Sequence, residues 1–276
     1  MPRHLHCGRF DLSLNRPLIM GIVNLTDDSF SGDGLRGDSQ RAITHALRLV
    51  QEGADILDLG AESSRPGALP IDARQELDRL LPVLAGLRDC GVPLSVDTQK
   101  AAVMRSVLAA GADMINDIAA LQAPGALEAV AGSQAAVCLM HMQGEPRDMQ
   151  QEPRYENVVG AVRDFFAARV QAAQSAGIPA GRIVLDPGFG FGKTLAHNLA
   201  LLRRLADLGV ADLPLLVGLS RKSMLGLLTG RPAGERLPAG IAAGLMALQR
   251  GAGIVRVHEV APWRDVIAVW NAVEGI

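Results

Sequence analysis

Eight short apolar runs recur along the chain, and each is followed by a polar or glycine-rich loop and a longer amphipathic stretch. The runs are apolar throughout and rich in β-branched residues, which is typical of parallel strands buried on both faces. We predict strands at Leu18–Asn24, Ile56–Gly60, Leu94–Val96, Met114–Asp117, Ala136–Met140, Ile183–Leu185, Leu215–Gly218 and Ile254–Val257. Eight strand–helix units without a linker predict an α/β protein, a (β/α)8 TIM barrel forming a single domain over residues 1–276. We expect the segment before Leu18 to form a short N-terminal hairpin at the bottom of the barrel.

An open, doubly wound sheet is the alternative arrangement of the same units. That fold needs a glycine-rich turn after its first strand, but Asn24-Leu25-Thr26 stands there. The length of 276 residues also lies near the ~250 residues usual for the barrel. The barrel is therefore the favoured fold.

Charge and composition exclude several classes of partner. A net charge of −2 and an aromatic content of 3% argue against a nucleic-acid-binding protein. The longest uncharged run, Ala129–Gly144, is too short to span a bilayer, and the N-terminus lacks the apolar core of a signal peptide. Cys7, Cys90 and Cys138 are scattered without metal-ligand spacing. We therefore expect a cytoplasmic protein with reduced thiols and neither a membrane nor a nucleic-acid partner.

Polar side chains stand where the predicted strands end, which in this fold is where active sites are built. They are Asn24, Ser63, Ser64, Arg65, Asp97, Asn116, Asp186, Arg221, Lys222, Arg256 and His258. The oxygens of Asp97, Asn116 and Asp186 suit a flat ring edge rich in N–H groups. The cationic side chains suit a phosphate group. The sequence thus predicts a heterocycle carrying a phosphate ester, with the cations opposite the carboxylates.

The run Gly188-Phe189-Gly190-Phe191-Gly192-Lys193 matches neither the phosphate-loop nor the dinucleotide-binding pattern. We expect its glycines to let the backbone bend tightly around a ligand.

Eight segments together resemble the dihydropteroate synthase family, in family order and over nearly the whole chain. They are MGIVNLTDDSFSGDG (20–34), GADILDLGAESSRPGA (53–68), SVDTQK (95–100), AGADMINDI (110–118), LMHMQGEP (139–146), DPGFGFGKTLAHN (186–198), GLSRKS (218–223) and RVHEV (256–260). The resemblance implies a homodimeric, Mg²⁺-dependent transferase that is a target of sulfonamides. Such an enzyme condenses 6-hydroxymethyl-7,8-dihydropterin diphosphate with p-aminobenzoate, releasing pyrophosphate and 7,8-dihydropteroate by an SN1-like displacement.

The same resemblance implies roles for individual residues. Those that contact the pterin would be Asp97, Asn116, Ile118, Met140, Asp186 and Lys222. Those that surround p-aminobenzoate would be Ser64, Pro66, Phe191, Lys222 and Ser223. The diphosphate would be bound by Asn24, Arg65, Arg256 and His258, with Asn24 also holding Mg²⁺. The catalytic groups would be Asp97, Lys222, Arg256 and His258.

Three positions depart from the family pattern: Asp27 replaces a proline, Ser64 a threonine and Glu259 an aspartate. Because the loop is altered at Asp27, one alternative is a paralogue that binds the pterin but does not synthesise dihydropteroate. A second alternative is a methyltransferase that passes the methyl group of a folate to a corrinoid protein. The Ser63-Ser64-Arg65-Pro66 and Ser220-Arg221-Lys222 segments argue against it, because methyl transfer needs no diphosphate site.

Overall fold

Eight parallel strands close into a barrel in the computed structural model, which describes residues 4–26, 39–64 and 67–275. The barrel strands are β3 (Leu18–Asn24), β4 (Ile56–Gly60), β5 (Leu94–Asp97), β6 (Met114–Asp117), β7 (Ala136–Met140), β8 (Ile183–Asp186), β9 (Leu215–Val217) and β10 (Ala252–Val257). Each strand pairs with its neighbour in the sequence, and β10 pairs with β3 to close the ring. The predicted barrel is confirmed, and the predicted strands differ from the observed ones by at most two residues at either end.

Helices follow the strands and cover the outside of the barrel. They are α1 (Ser39–Glu52), α2 (Ala73–Leu87), α3 (Ala101–Ala109), α4 (Ala126–Ala131), α5 (Val158–Ser175), α6 (Leu195–Arg203), α7 (Ser223–Thr229), α8 (Leu237–Leu248) and α9 (Val260–Glu274). The strand side chains that point outward pack against these helices in one continuous apolar core. Both faces of the strands are buried, which explains why the strands read as largely apolar runs. Among the described helices, none has the length and apolar character needed to cross a membrane.

The predicted N-terminal hairpin consists of β1 (His4–Cys7) and β2 (Phe10–Ser13), paired antiparallel. Leu5 and Cys7 on β1 pack against inward-pointing side chains from the barrel strands, including Met20 and Met114. An ion pair between half-exposed Arg9 and buried Asp113 holds the hairpin there, because the Arg9 guanidinium donates to both carboxylate oxygens of Asp113 at 3.0 Å. The hairpin thus seals the amino-terminal end of the barrel, and the carboxyl-terminal end remains open.

Candidate active site

A pocket of about 450 Å³ opens at the carboxyl ends of the barrel strands. Most of the side chains predicted for the site line this pocket: Asn24, Ser64, Asp97, Asn116, Ile118, Met140, Asp186, Phe191, Lys222, Ser223, Arg256 and His258. They lie on six of the eight strands or in the segments that follow β4, β6, β8, β9 and β10, so closure of the barrel brings them together. The predicted diphosphate contact Arg65, the predicted p-aminobenzoate contact Pro66 and the variant position Asp27 lie outside the described residues.

The floor of the pocket is organised by Asp58, a residue that the sequence analysis did not single out. Asp58 lies in the middle of β4 with no exposed surface. Its carboxylate accepts hydrogen bonds from Ser95 Oγ at 2.6 Å, Asn116 Nδ2 at 3.1 Å and Arg256 Nε at 2.6 Å. The sequence contained a signal for this role, namely an aspartate inside an otherwise apolar predicted strand. A charged residue in such a strand is rarely buried without a partner.

Arg256 bridges two carboxylates instead of standing apart from them. Besides its bond to Asp58, its Nη2 donates to Asp97 Oδ2 at 3.1 Å. Burial alone would lower the pKa of Arg256, but the charges of Asp58 and Asp97 raise it, so the guanidinium stays protonated. The expectation of cations opposite carboxylates is therefore wrong for this residue. Arg256 instead connects the carboxylate wall of the pocket with the side where His258 lies.

Three oxygen-bearing side chains face the pocket from neighbouring parts of the wall. Because Asn116 Nδ2 donates to Asp58, its Oδ1 is left to accept from a ligand. Burial raises the pKa of Asp97, an effect that Arg256 opposes. Burial likewise raises the pKa of Asp186, while the Gly188 amide, donating at 2.7 Å, and Lys222 oppose the rise. A ligand that donates N–H groups or carries positive charge would therefore be stabilised here.

Lys222 and Phe191 form another part of the pocket lining. Lys222 immediately precedes α7, and its Nζ lies 4.1 Å from the centroid of the Phe191 ring. Burial lowers the pKa of Lys222 to about 8, while the charge of Asp186 limits the shift. An ammonium over an aromatic face, next to a carboxylate, can serve both an anionic aryl ligand and a polar ring.

His258 is held at the end of β10 by the neighbouring loop. Ser220 Oγ lies 2.9 Å from His258 Nδ1 and donates to Glu259 Oε2 at 3.4 Å. Glu259 also accepts from Arg221 Nε at 2.8 Å. The longer carboxylate at this variant position thus still ties the segment after β9 to the end of β10.

An ion cluster supports the loop after β4, which carries Ser63 and Ser64. Lys100 Nζ donates to Glu62 in this loop and to Glu76 Oε2 at 2.7 Å. Glu76 has no exposed surface. The cluster ties the loop to α2 and to the start of α3, so Lys100 supports the pocket without lining it.

The family model for pterin binding enzymes matches residues 20–258. A protein of Neisseria meningitidis serogroup C named dihydropteroate synthase is 49% identical, over 99% of this chain and 98% of its own length. The dihydropteroate synthase of Escherichia coli K12 is 46% identical, over 96% of this chain and 93% of its own. This chain belongs to the dihydropteroate synthase family of pterin-binding enzymes.

Solved structures from the dihydropteroate synthase family share the whole fold. The Burkholderia cenocepacia enzyme, complexed with 7,8-dihydropteroate, superposes with a TM-score of 0.91 at 50% identity, covering 99% of this chain and 97% of its own. The Xanthomonas albilineans enzyme with 4-aminobenzoic acid gives a TM-score of 0.93 at 48% identity and covers all of both chains. The barrel and the N-terminal hairpin are thus those of the dihydropteroate synthases.

Close backbone packing explains the glycines of the dihydropteroate synthase segment 186–198. A Cβ on Gly188 would lie 2.0 Å from the carbonyl oxygen of His141, and one on Gly192 would lie 2.2 Å from that of Gln143. Both residues also have positive φ angles, +65° and +60°. Gly188 and Gly192 are therefore needed because two loops pack backbone against backbone, and Gly188 also lines the pocket.

Proposed function

We propose that this protein condenses 6-hydroxymethyl-7,8-dihydropterin diphosphate with p-aminobenzoate, forming 7,8-dihydropteroate and pyrophosphate. One observation carries the proposal: acceptors for a pterin ring, a lysine over an aromatic ring and an arginine–histidine pair meet in one pocket of suitable size. Relatives of nearly equal length carry the name of this activity, and structures of relatives contain its product or p-aminobenzoate.

In the proposed complex, the pterin donates N–H groups to Asp97, Asn116 and Asp186, with Met140 and Ile118 against its faces. p-Aminobenzoate lies beside Phe191, Ser64, Pro66 and Ser223, with its carboxylate near Lys222. The diphosphate lies toward Asn24, Arg65, Arg256 and His258. This arrangement supports an SN1-like order of events, because the carboxylates that bind the ring also stabilise positive charge on it.

The proposed reaction requires no strong base. The C–O bond between the pterin methylene and the diphosphate breaks, and its electron pair leaves with pyrophosphate. The aniline nitrogen of p-aminobenzoate forms the new C–N bond and afterwards loses one proton to solvent. Arg256 and His258 stabilise the charge that develops on the leaving group, while Asp97 and Asp186 stabilise the cationic pterin.

Magnesium fits the site as an ion that arrives with the diphosphate. Among the described residues, no group of three His, Cys, Asp or Glu side chains could hold a metal. Asn24 Oδ1 and Asp97 Oδ2 nevertheless both lie beside Gly60, each 3.9 Å from where its Cβ would stand. Mg²⁺ commonly takes one or two protein oxygens and fills its shell with water and phosphate oxygens. We propose that Asn24 would supply such an oxygen to a bound Mg²⁺, which would supply positive charge beside the diphosphate.

We also propose an oligomeric state and a cellular location for the protein. Exposed apolar side chains occur on the adjacent helices α7 and α8, with Leu227 70% and Met246 48% exposed. We propose that a second copy of the chain covers them, giving the homodimer that the family resemblance implies. The three cysteines are free thiols, which supports a reducing cytoplasmic location. The unit that would dimerise is the expected single domain.

Asp97→Asn is expected to lower kcat by about tenfold or more while changing the KM for p-aminobenzoate by less than about threefold. The amide can still accept a hydrogen bond from the pterin, but it carries no charge to stabilise the cationic ring. Steady-state rates at varied p-aminobenzoate and saturating pterin diphosphate measure both constants. An unchanged kcat with a raised KM for p-aminobenzoate would contradict the role given to this carboxylate.

The KM for p-aminobenzoate is expected to rise as the pH increases through about 8, the pKa to which burial lowers Lys222. Below this pH the ammonium is present, and above it the lysine is neutral and no longer attracts the substrate carboxylate. Initial rates at saturating pterin diphosphate, measured across this range, test the sign. Lys222→Arg is the control, since a guanidinium stays charged and should remove the rise. A flat wild-type profile would refute the assignment.

A further inference from the structure

A lysine that does not line the pocket supports one of its walls. Lys193 is 3% exposed and lies at the end of the glycine-rich segment between β8 and α6. Its Nζ donates to the carbonyl oxygens of Gly188 at 3.0 Å, Phe191 at 2.9 Å and His141 at 3.2 Å. Burial of an ammonium is unfavourable unless such acceptors surround it. The cage therefore joins the loop after β7 to the loop after β8.

The His141 ring completes the cage. Burial, together with the charge of Lys193, lowers the pKa of His141 to about 3, so the imidazole is neutral. A neutral ring has one acceptor nitrogen, and Nδ1 lies 3.0 Å from Lys193 Nζ. The ring itself is fixed edge-on against Phe165, with 4.9 Å between the centroids. The His141 ring thus connects the cage to α5.

The residue most dependent on this cage is Phe191. Met140 and Asp186 belong to paired strands, so the ladder between β7 and β8 fixes their positions. Phe191 lies in a loop, and its carbonyl is held by Lys193 while its ring packs under Lys222. The neighbouring glycines are also bound from outside the loop, by Asn198 Oδ1 at Gly190 N and by Tyr155 OH at Gly192 O.

We propose that Lys193 is a positioning residue that sets the affinity for p-aminobenzoate by holding the backbone of Phe191 in place. The inference rests on the proposed function, because it assigns p-aminobenzoate to the side of the pocket that Phe191 forms. The pterin side is anchored by strands, so loss of the cage should affect the two substrates unequally.

The test compares Lys193→Met with Arg182→Met. Arg182 is a matched control, since it is a buried cation bound to backbone carbonyls, those of Ala135 and Val130, at the opposite end of β8. We expect Lys193→Met to raise the KM for p-aminobenzoate about tenfold and that for the pterin diphosphate less than about threefold. Arg182→Met should lower thermal stability and leave the ratio of the two KM values unchanged. Equal changes for both substrates in Lys193→Met would overturn the proposal.

Hydrogen exchange of residues 187–194 gives a second readout that needs no turnover. The amides of Gly188, Gly190 and Phe191 are hydrogen-bonded in this segment. Their exchange should be faster in Lys193→Met and unchanged in Arg182→Met. A wild-type protein without turnover would refute the proposed function, and the exchange result would still decide whether Lys193 holds the loop. If Lys193→Met does not fold, Lys193→Gln replaces it, with the same direction expected and unchanged exchange again contradicting the inference.

Discussion

Lys222→Ala is expected to lower kcat/KM for the condensation about a hundredfold, equivalent to about 3 kcal/mol of transition-state binding. The substitution removes a charged donor that lies 4.1 Å from the centre of the Phe191 ring and near the Asp186 carboxylate. Without Lys222, neither the substrate carboxylate nor the buried Asp186 regains an equivalent charged partner. Steady-state kinetics with each substrate varied in turn measure the loss.

The control for this variant is Arg204→Ala, which removes an exposed cation paired with Asp207. An exposed pair of this kind contributes about 0–1 kcal/mol, so its kcat/KM and its unfolding midpoint should match the wild type. If Lys222→Ala kept a near-normal kcat/KM while folding normally, Lys222 could not be the group that serves both substrates.

Asp58→Ala is expected to destabilise the protein by about 3–5 kcal/mol and to reduce kcat/KM by more than about a hundredfold. The substitution leaves the Arg256 guanidinium without the acceptor at its Nε, and Asn116 without the partner that fixes its amide. Arg256 would then be free to swing toward Asp97 alone or into the pocket. Urea unfolding measures the first effect and steady-state kinetics the second.

Ser95→Ala separates the effect of the Ser95 hydrogen bond from that of the other contacts of Asp58. It removes only the hydroxyl that donates to Asp58 Oδ1 at 2.6 Å and leaves the Arg256 and Asn116 contacts in place. We expect a stability loss of about 1 kcal/mol and less than a fivefold change in kcat/KM. If Ser95→Ala and Asp58→Ala had equal effects, Asp58 would be a packing residue and not the organiser of the pocket floor.

Much of the fold could be predicted because burial on both faces leaves a strong trace in the sequence. Strand β7 reads as an unbroken apolar run, and its bounds were predicted without error. The errors lie at strand ends: β5 and β8 continue for one residue into Asp97 and Asp186, β9 ends one residue earlier than predicted, and β10 begins two residues earlier. The predicted bounds stopped one residue before those carboxylates because polarity marks a strand end in sequence, whereas the strand pairing continues to the polar residue itself.

The residues of the site were easier to predict than their mutual contacts. Strand-end position suffices to place Asp97, Asn116 and Lys222 around one pocket. It does not show that Arg256 pairs with Asp58, since 198 residues separate them in the sequence. The pairing follows from closure of the barrel, which brings β10 close to β4 with only β3 between them. A periodicity argument along single strands carries no information on such a contact.

Release of pyrophosphate tests the central claim most directly. The protein is incubated with 6-hydroxymethyl-7,8-dihydropterin diphosphate and Mg²⁺, with and without p-aminobenzoate, and pyrophosphate and dihydropteroate are both quantified. We predict equal amounts of the two products, formed only when p-aminobenzoate is present and reduced about a hundredfold in Lys222→Ala. Folded protein that binds the pterin but forms no dihydropteroate would contradict the account and identify a pterin-binding paralogue without synthase activity.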